Sequence, residues 1–575
     1  AASARGRGGR RRAARLQRAA SRPMAASPED RGGWPSPVSW SKLLGLCAAA
    51  GCLHTAAKVW AARRRTKKMR KMLEDVPLAR YEDPGNFLGF LKGVMKNRRQ
   101  LHTWMDDVSR GLPVCKLLGM PFEPGQTWLI VRDPACIKHF LKDSFDLYSK
   151  PDPRDNPFFY YLQVWLGDGI LTFQHGLGAK DHGEAWHRQR KIAANIFTRS
   201  NFQSKFQETF VAKGHRLCNL LLEVAKGGQR VDLQRLFFGY TMDSAMDLLC
   251  GEKTDTMGGE ACAYGDNFDQ AHRMLVEYVR PSQARLKQLE YLPFPFGGSG
   301  GLAWQLRSAL NPTYRRFLAA RRVIHAESDR IVAACRSDPS LGRRKDLLAL
   351  FVQSEEKEQF LSTYLRDMVM MFMLAGRDTT ACLLSWTFYM LATNPEVQAK
   401  LSAEIDQKLP GLAEPSLKSV SASAMPYLNG VVWEALRLHP PVPSDSKVCM
   451  TDDIMPNGAR VPAGTVCIFL PYAMGRDPAV YPEPLAVKPE RWIPFTAPSP
   501  YEFPNFQAGP RICLGQDMAI FEAKVCIVML LQRFGFAMPP GEAEKVHYSN
   551  TLTMSVCDSR EQDSHHLWME PRPRA

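Results

Sequence analysis

The sequence predicts a mainly α-helical fold with a few short β-strands, and the spacing of its apolar residues supports this. Apolar side chains recur at helical spacing over residues 200–290, over residues 361–393 and again after Gly515. The segments typical of strands are short runs of β-branched and aromatic residues, at 127–131 and 465–470. Long helices accompanied by small sheets are therefore expected.

The positive charge of the chain is concentrated in its first 71 residues. The 575 residues carry a formal net charge of +17, and residues 1–71 hold 18 Lys and Arg against two acids, Glu29 and Asp30. The remaining residues hold 57 basic and 56 acidic side chains. Because the body of the protein is nearly neutral, the charge does not indicate a nucleic-acid partner.

The N-terminal region divides into three predicted parts. Residues 1–42 form a basic extension that is either disordered or used for targeting. Residues 43–62 are rich in Ala and Leu and are about as long as one membrane span, so they predict an anchor. Residues 63–79 form a basic linker to the main domain, which is predicted to span residues 80–575 without an internal repeat.

The sequence around the predicted anchor fits a membrane interface. Trp40 and Trp60 lie at its edges, and seven Lys and Arg residues follow within 63–71. By the positive-inside rule this flank stays in the cytosol together with the main domain. His54 and Lys58 weaken the span, so the alternative is an amphipathic helix that lies on anionic lipid.

The cysteine pattern excludes two classes of site. The fourteen cysteines are scattered without CxxC pairs, so neither a zinc site nor a disulfide framework is indicated. Reduced thiols fit a cytosolic compartment.

Residues 184–197 predict a charged helix that carries Trp186 and Arg190 four positions apart. This spacing places both side chains on one helix face. The alternative is a tryptophan packed on the core with the arginine stem lying past it.

The central helix predicted at 361–393 contains polar residues where an apolar core is expected. Residues 368–374 are apolar all round, but Gly376, Asp378 and Thr379 follow directly, and such residues are poor choices inside a buried helix. A small glycine opens room beside the helix, and a threonine hydroxyl next to a carboxylate can transfer protons. The alternative is a local kink. The helix ends at Asn394, predicted as the N-cap of the next helix.

A further helix is predicted at 427–438, with Glu434 and Arg437 three positions apart. Such a pair also occurs on ordinary surface helices, where it contributes little. Downstream, Asn457 and Gly458 predict a hairpin turn, and residues 551–554 predict a last strand.

A tight loop at residues 506–515 presents a cysteine. Gly509 and Gly515 permit positive φ and the close approach of a flat ligand to the main chain. Backbone N–H groups around Cys513 are expected to point at a thiolate, and Arg511 is placed to meet a carboxylate. The alternative is a structural thiol, because free cysteine mostly behaves as a small buried hydrophobe.

The pattern Phe506-x-x-Gly509-x-Arg511-x-Cys513-x-Gly515 resembles the haem-binding signature of the cytochrome P450 monooxygenases. An apolar helix follows the loop, which is the order that the family has. The resemblance implies that Cys513 is the axial metal ligand of the haem iron. It also implies that the other four residues of the pattern surround the cofactor.

Three further motifs are similar to motifs of the same family. Trp186 and Arg190 match a Trp-x-x-x-Arg motif that reaches the haem propionates. Residues 375–380 resemble the oxygen-activating segment, so the resemblance implies that Asp378 and Thr379 are catalytic.

The third motif is a charged triad. Residues 489–492 are similar to the second arginine motif of the family. The resemblance implies that Glu434, Arg437 and Arg491 form a triad that holds the proximal side of the protein together.

The resemblance implies the cytochrome P450 fold, which is mainly α with small antiparallel β-sheets. It implies haem b (heme b) as cofactor and NADPH-derived electrons delivered by a separate NADPH–cytochrome P450 reductase. The implied substrate is a small apolar molecule. The implied location is the endoplasmic reticulum membrane with a cytosolic catalytic domain, or alternatively a plastid or mitochondrial membrane.

Residues 375–380, 442–447 and 508–516 resemble the long-chain fatty-acid and alkane hydroxylases of plants and yeasts. The implied reaction is hydroxylation of a long-chain fatty acid at or near its terminal carbon. Ala375 stands where animal fatty-acid members carry a glutamate, so no covalent haem ester is expected. Two alternatives remain: a haem-thiolate isomerase or dehydratase of lipid hydroperoxides, and a non-enzymatic haem-binding receptor or carrier.

Overall fold

Helices form most of the chain that the structure describes. The computed structural model describes residues 71–82, 87–117, 128–153, 157–176, 180–259, 263–286, 309–358, 363–559 and 565–574, with isolated positions between 57 and 69. Its α-helices of four residues or more are α1 (Phe87–Lys96), α2 (Leu101–Ser109), α3 (Pro134–Lys138), α4 (Pro157–Leu166), α5 (Lys180–Ala194), α6 (Gln207–Lys226), α7 (Leu233–Ala245), α8 (Ala263–Leu286), α9 (Pro312–Ser337), α10 (Leu347–Glu358), α11 (Tyr364–Thr393), α12 (Pro395–Lys408), α13 (Pro426–Leu438), α14 (Pro471–Met474) and α15 (Gln516–Leu531). A π-helical turn at Met246–Cys250 continues α7.

Short strands form small sheets beside the helices. They are β1 (Val114–Leu117), β2 (Trp128–Val131), β3 (Tyr148–Ser149), β4 (Val231–Asp232), β5 (Asp445–Cys449), β6 (Asp453–Ile454), β7 (Arg460–Val461), β8 (Val466–Phe469), β9 (Phe534–Ala537), β10 (Val546–Tyr548), β11 (Val556–Asp558) and β12 (Trp568–Pro573). The largest sheet has the order β1-β2-β8-β5-β3, and a second has the order β4-β12-β9. The strand pairs β6–β7 and β10–β11 stand as two-stranded sheets.

The predicted fold class, mainly α with small sheets, is confirmed. The strand pairs are antiparallel with one exception, because β2 and β8 pair in parallel, with Trp128 opposite Val466. The five-stranded sheet is therefore mixed. A parallel pair cannot close through a tight turn, and these two strands lie far apart in the sequence.

Buried apolar side chains of the described chain form three clusters. Helix α11 runs through the largest of them, as the sequence predicted. Asn394 is the N-cap residue of α12 and Pro395 follows it, as the sequence predicted. Its side-chain amide makes no cap bond to α12 and instead donates to the Met390 carbonyl at 2.8 Å, because the last carbonyls of a helix also lack partners.

The hairpin predicted at Asn457 and Gly458 is confirmed, since the two residues join β6 to β7 and Gly458 has a φ of +83°. The last strand predicted at 551–554 is wrong. These residues form the bend between β10 and β11, where the Met554 N–H donates to the carbonyl of Pro441. The β-branched composition of the segment was therefore misleading, because the bend is held by contacts distant in sequence.

The predicted extension (1–42) and almost all of the predicted anchor (43–62) lie outside the described residues. Residues 71–79, at the end of the predicted linker, bury Leu73, Val76 and Ala79. Thr55–Ala575 group into one compact unit. Among the described residues, no helix combines the length and the apolar character needed to cross a bilayer.

Candidate active site

The loop before α15 contains one position, Gly509, where any residue other than glycine would be strained. Gly509 has a φ of +64°, and a Cβ atom there would lie 2.1 Å from the carbonyl oxygen of Leu141. Gly509 therefore uses the positive φ that glycine permits. Gly515 does not use it, because its φ is −90° and it is the residue directly before α15.

Cys513 is presented by this loop. Its backbone N–H donates to the Phe506 carbonyl at 2.8 Å, which closes the loop on itself. Of the eleven cysteines in the described parts of the chain, Cys513 is exposed and the others are buried. This arrangement contradicts the alternative of a buried structural thiol.

The groups around the Cys513 sulfur have opposing effects on the pKa of its thiol. Although solvent reaches the side chain, the protein atoms packed around the loop raise the pKa of the thiol. The Gly515 backbone N–H and the Arg190 guanidinium act to lower that pKa. These two groups stabilise a thiolate, which is the form that binds a metal.

Helix α5 brings Trp186 and Arg190 to the same loop. The Arg190 guanidinium donates to the Ile512 carbonyl at 2.5 Å, directly before Cys513. The Trp186 ring is buried, and the Arg511 guanidinium carbon lies 4.4 Å from its centroid. The structure thus joins Trp186, Arg190, Arg511 and Cys513 in one cluster.

Arg511 meets carbonyl groups and a histidine. Its guanidinium donates to the Phe173 carbonyl at 2.8 Å and to Nδ1 of His175 at 2.9 Å. Burial lowers the pKa of Arg511 to about 9, against the opposing effect of Asp445. Burial and the Arg511 charge lower the pKa of His175 to about 2, so this ring is neutral and can accept the hydrogen bond.

Sequence reasoning missed a group of charged residues beside Arg511. Lys447 on β5 is 1% exposed, and its Nζ atom makes no hydrogen bond within the described chain. Burial, with the charges of Lys150 and Arg511, holds the pKa of Lys447 well below its usual value. The neighbouring carboxylate, Asp445, is already bonded to Lys150 at 3.3 Å and to the Gln507 amide.

The group therefore contains three basic side chains (Lys150, Lys447 and Arg511) and one carboxylate, that of Asp445. A buried ammonium group without a partner is costly, and a ligand with carboxylates would supply the missing acceptors. The donor set fits the carboxylates of haem. The only indication in the sequence was Lys447 itself, within residues 442–447. Its burial could not be predicted, because it depends on residues distant along the chain.

Thr379 lies on the accessible side of α11. Its hydroxyl donates to the Ala375 carbonyl one turn earlier at 2.7 Å. Ala375 is exposed, and Phe372 and Thr379 are partly exposed. These three residues form an uncharged accessible stripe on a helix that is otherwise largely buried.

Gly376 is partly exposed, like Thr379. A Cβ atom at Gly376 would lie 3.4 Å from a methyl group of Leu249 and 3.6 Å from the Ala245 side chain, which is ordinary van der Waals contact. The expectation that Gly376 opens room beside the helix stays a prediction.

In the described chain no hydrogen bond joins the side chains of Asp378 and Thr379, and the Asp378 carboxylate is held elsewhere. Arg377 donates to Oδ1 at 2.9 Å, and Nδ1 of His272 lies 3.1 Å from Oδ2. Burial acts to raise the pKa of Asp378, but Arg377 and His272 outweigh it and the pKa is lowered. Arg377 also forms a two-pronged ion pair with Asp269, at 2.6 and 2.9 Å.

The predicted triad is brought together. Arg437 donates twice to the Glu434 carboxylate, at 2.7 and 2.9 Å, and both side chains are completely buried. Arg491 lies 3.4 Å from the same carboxylate. The Trp492 indole N–H donates to Glu434 at 3.0 Å, a partner that the sequence did not indicate.

These loop, helix and triad contacts agree with a match to a protein-family model. The model described as cytochrome P450 matches residues 83–561 of the chain. The chain belongs to the cytochrome P450 family. This membership makes it a monooxygenase-type oxidoreductase whose family implies a thiolate-ligated haem iron, a small-molecule substrate and a redox partner.

This cytochrome P450 is similar to plant members along most of its length. Cytochrome P450 CYP94D108 of Paris polyphylla is 30% identical over 459 residues, which covers 78% of this chain and 84% of the relative. Cytochrome P450 704B1 of Arabidopsis thaliana is 28% identical over 498 residues, or 80% and 90% of the two chains. Cytochrome P450 86B1 of Arabidopsis thaliana is 30% identical over 500 residues, or 81% and 82%.

Proposed function

We propose that this cytochrome P450 hydroxylates a long-chain fatty acid at or near its methyl end. The electrons come from NADPH through a separate NADPH–cytochrome P450 reductase. The observation that carries the proposal is the uncharged accessible stripe of Phe372, Ala375 and Thr379 on the buried helix α11. The resemblance of residues 375–380 and 442–447 to plant and yeast fatty-acid and alkane hydroxylases supports the substrate class.

The proposed substrate fits the chemistry of this stripe. Each methylene group removed from water contributes about 0.8 kcal/mol, so a long alkyl chain binds without many polar contacts. Attack at the methyl end requires that the chain be held so that only its end reaches the reacting centre. The four methionines in the first half of α11 (Met368, Met370, Met371, Met373) are at most 3% exposed, so the accessible stripe is a better candidate for the wall of the substrate pocket than these side chains.

Cys513 is the proposed axial ligand of the haem iron, with Gly515 and Arg190 stabilising its thiolate. Phe506 holds the loop through its carbonyl, and Gly509 lets the loop pass close to Leu141. Lys447, Arg511 and Lys150 are the proposed partners of the haem carboxylates, with Trp186 supporting Arg511. When bound, haem supplies the oxygen-activating chemistry.

Thr379 and Asp378 are the proposed proton-handling residues. The Thr379 hydroxyl is accessible and is oriented by the Ala375 carbonyl. Asp378 is held by Arg377 and His272, so it reaches Thr379 only after a change of its side-chain rotamer. Glu434, Arg437 and Arg491 are proposed to hold the structure around α13 without contacting the substrate.

The proposed location is the endoplasmic reticulum membrane, with residues 80–575 in the cytosol; a plastid or mitochondrial membrane is the alternative. The basis is the apolar stretch at 43–62 and the basic residues that follow it.

The test of the function is product analysis. The haem-loaded protein is incubated with reductase, NADPH and fatty acids of graded length, and the products are identified by mass spectrometry. Hydroxylation at or next to the methyl carbon is expected. Products restricted to epoxides, or turnover of sterols or terpenes alone, would overturn the substrate assignment. An absence of substrate-dependent NADPH consumption would favour a carrier.

A further inference from the structure

Helix α9 carries six arginines, and one of them differs from the rest. Arg315, Arg316, Arg322, Arg330 and Arg336 are exposed, whereas Arg321 is partly buried. Arg321 has no ion pair within the described chain, and its Nε atom is buried without a hydrogen-bond partner. A guanidinium group in this position is poised for an anion that the protein does not itself provide.

A second nitrogen without a partner lies one helical turn further along α9. The Nε2 atom of His325 is buried and makes no hydrogen bond to any described residue. Burial, Arg321 and Arg366 lower the pKa of His325 to about 4, while a hydrogen bond to the Trp165 backbone acts in the opposite direction. A bound anion would favour the protonated ring, whose Nε2 is then a donor.

The acids around this cluster are already engaged or face the solvent. Arg366, in the first turn of α11, bonds to Asp367 at 2.8 Å. The other oxygen of Asp367 accepts the Asp168 backbone N–H at 3.1 Å, and the Asp168 side chain itself is exposed. No carboxylate therefore neutralises the Arg321 guanidinium through an ion pair within the described chain. The charge of Arg366 acts to lower the pKa of Arg321 further, after the larger effect of burial.

An apolar seam lies on the face of α9 that also carries Arg321, since Phe317 is four positions before Arg321. It lies between α4, α8 and α9 and is lined by Tyr161, Met274, Leu275, Tyr314 and Phe317. Tyr314 lies two turns before Arg321 on the same face of α9, and its ring centroid is 5.7 Å from that of Tyr161. The seam is closed in this structure, so an alkyl chain would have to separate flexible side chains such as Met274.

We propose that Arg321, assisted by Arg366 and His325, binds the carboxylate of the fatty-acid substrate while the alkyl chain enters the adjoining seam. This inference rests on the proposed function and names the polar end of its substrate.

The test compares an acid with its uncharged analogue. Hexadecanoic acid and hexadecan-1-ol are titrated into the haem-loaded protein, and the dissociation constants are taken from the substrate-binding difference spectra. The variants are Arg321→Met, Arg321→Lys and, as matched control, Arg322→Met on the neighbouring exposed position. Arg321→Met should weaken binding of the acid about tenfold to a hundredfold, the range of a charged hydrogen bond, and change binding of the alcohol less than about twofold.

Arg321→Lys should recover part of the acid binding, because it keeps the charge, and Arg322→Met should resemble the wild type. Equal effects of Arg321→Met on acid and alcohol, or no effect on either, would overturn the carboxylate site. In that case terminal hydroxylation of the acid by the wild type would still uphold the proposed function. A wild type that neither binds nor hydroxylates any fatty acid would overturn both.

Discussion

The Nδ1 atom of His272 lies 3.1 Å from Oδ2 of Asp378 and links α8 to the central helix α11. The Leu552 backbone N–H donates to Nε2 of the same ring at 3.3 Å. This second bond assigns the ring proton to Nδ1, so His272 donates to Asp378. Asp378 and Thr379 are neighbours in the sequence, yet Asp378 is fixed inside this buried network whereas Thr379 belongs to the accessible stripe.

Removal of the Thr379 hydroxyl should uncouple NADPH oxidation from product formation. We expect Thr379→Ala to lower product formation by about tenfold to a hundredfold, which is at or below the lower limit for general acid–base groups, because water can substitute for the hydroxyl. NADPH oxidation should fall less, and hydrogen peroxide should account for the difference. The measurement is the ratio of hydroxylated product to NADPH consumed.

Thr393→Ala is the matched control, because Thr393 makes the same bond to a carbonyl one turn earlier on α11, at 2.8 Å, far from the stripe. The control should keep the coupling of the wild type. If Thr379→Ala also kept it, the hydroxyl would have only the structural role of a helix kink.

Substitution of Cys513 should remove the spectroscopic signature of a thiolate-ligated haem. With carbon monoxide added to the reduced protein, the wild type should show a red-shifted Soret band, and Cys513→Ser should lose it because a hydroxyl is a much poorer ligand than a thiolate. The buried Cys557 offers a control, and Cys557→Ser should keep the band. A red-shifted band in Cys513→Ser would identify another cysteine as the ligand.

The sequence sufficed for the loop and the helices because each depends on short-range patterns, whereas the triad was predicted from its resemblance to motifs of the family. The arrangement around Cys513 needs residues that are contiguous in the chain, and Glu434 and Arg437 lie on one turn of α13. Helical periodicity also placed α11 and α13 to within a few residues.

The sequence did not suffice for the charged residues whose partners are distant in the chain. Lys447 becomes a candidate binding residue only once Lys150 and Arg511 are seen beside it. The same holds for Asp378, since its partner His272 lies on α8.

Loss of the buried arginine of the triad should destabilise the protein strongly. Arg437→Met leaves the Glu434 carboxylate buried with fewer partners, and a broken buried ion pair costs about 3–5 kcal/mol. The measurement is the free energy of unfolding in urea. Lys400→Met removes an exposed ion pair with Glu490, whose side chains are 60% and 52% exposed, and should cost at most about 1 kcal/mol. Equal costs for the two variants would show that the triad is not a major structural contact.

Glu522 on α15 should make the stability of the protein depend on pH. Its carboxyl group is 1% exposed, and Oε1 makes no hydrogen bond to a described residue. Burial raises the pKa of Glu522 to about 8, against an opposing contribution from Ser244. Between its usual pKa and about 8, the folded protein holds a proton that the unfolded chain has released, so stability falls as the pH rises through this window.

Glu522→Gln should remove this dependence, because the amide is neutral at every pH of the experiment. The free energy of unfolding of the wild type should therefore decrease more between pH 5 and pH 8 than that of the variant, as measured by urea titration at several pH values around these limits. Glu223→Gln is the control, since that side chain is 74% exposed and should leave the wild-type slope unchanged. Parallel curves for the wild type and Glu522→Gln would show that Glu522 is already ionised in the folded protein.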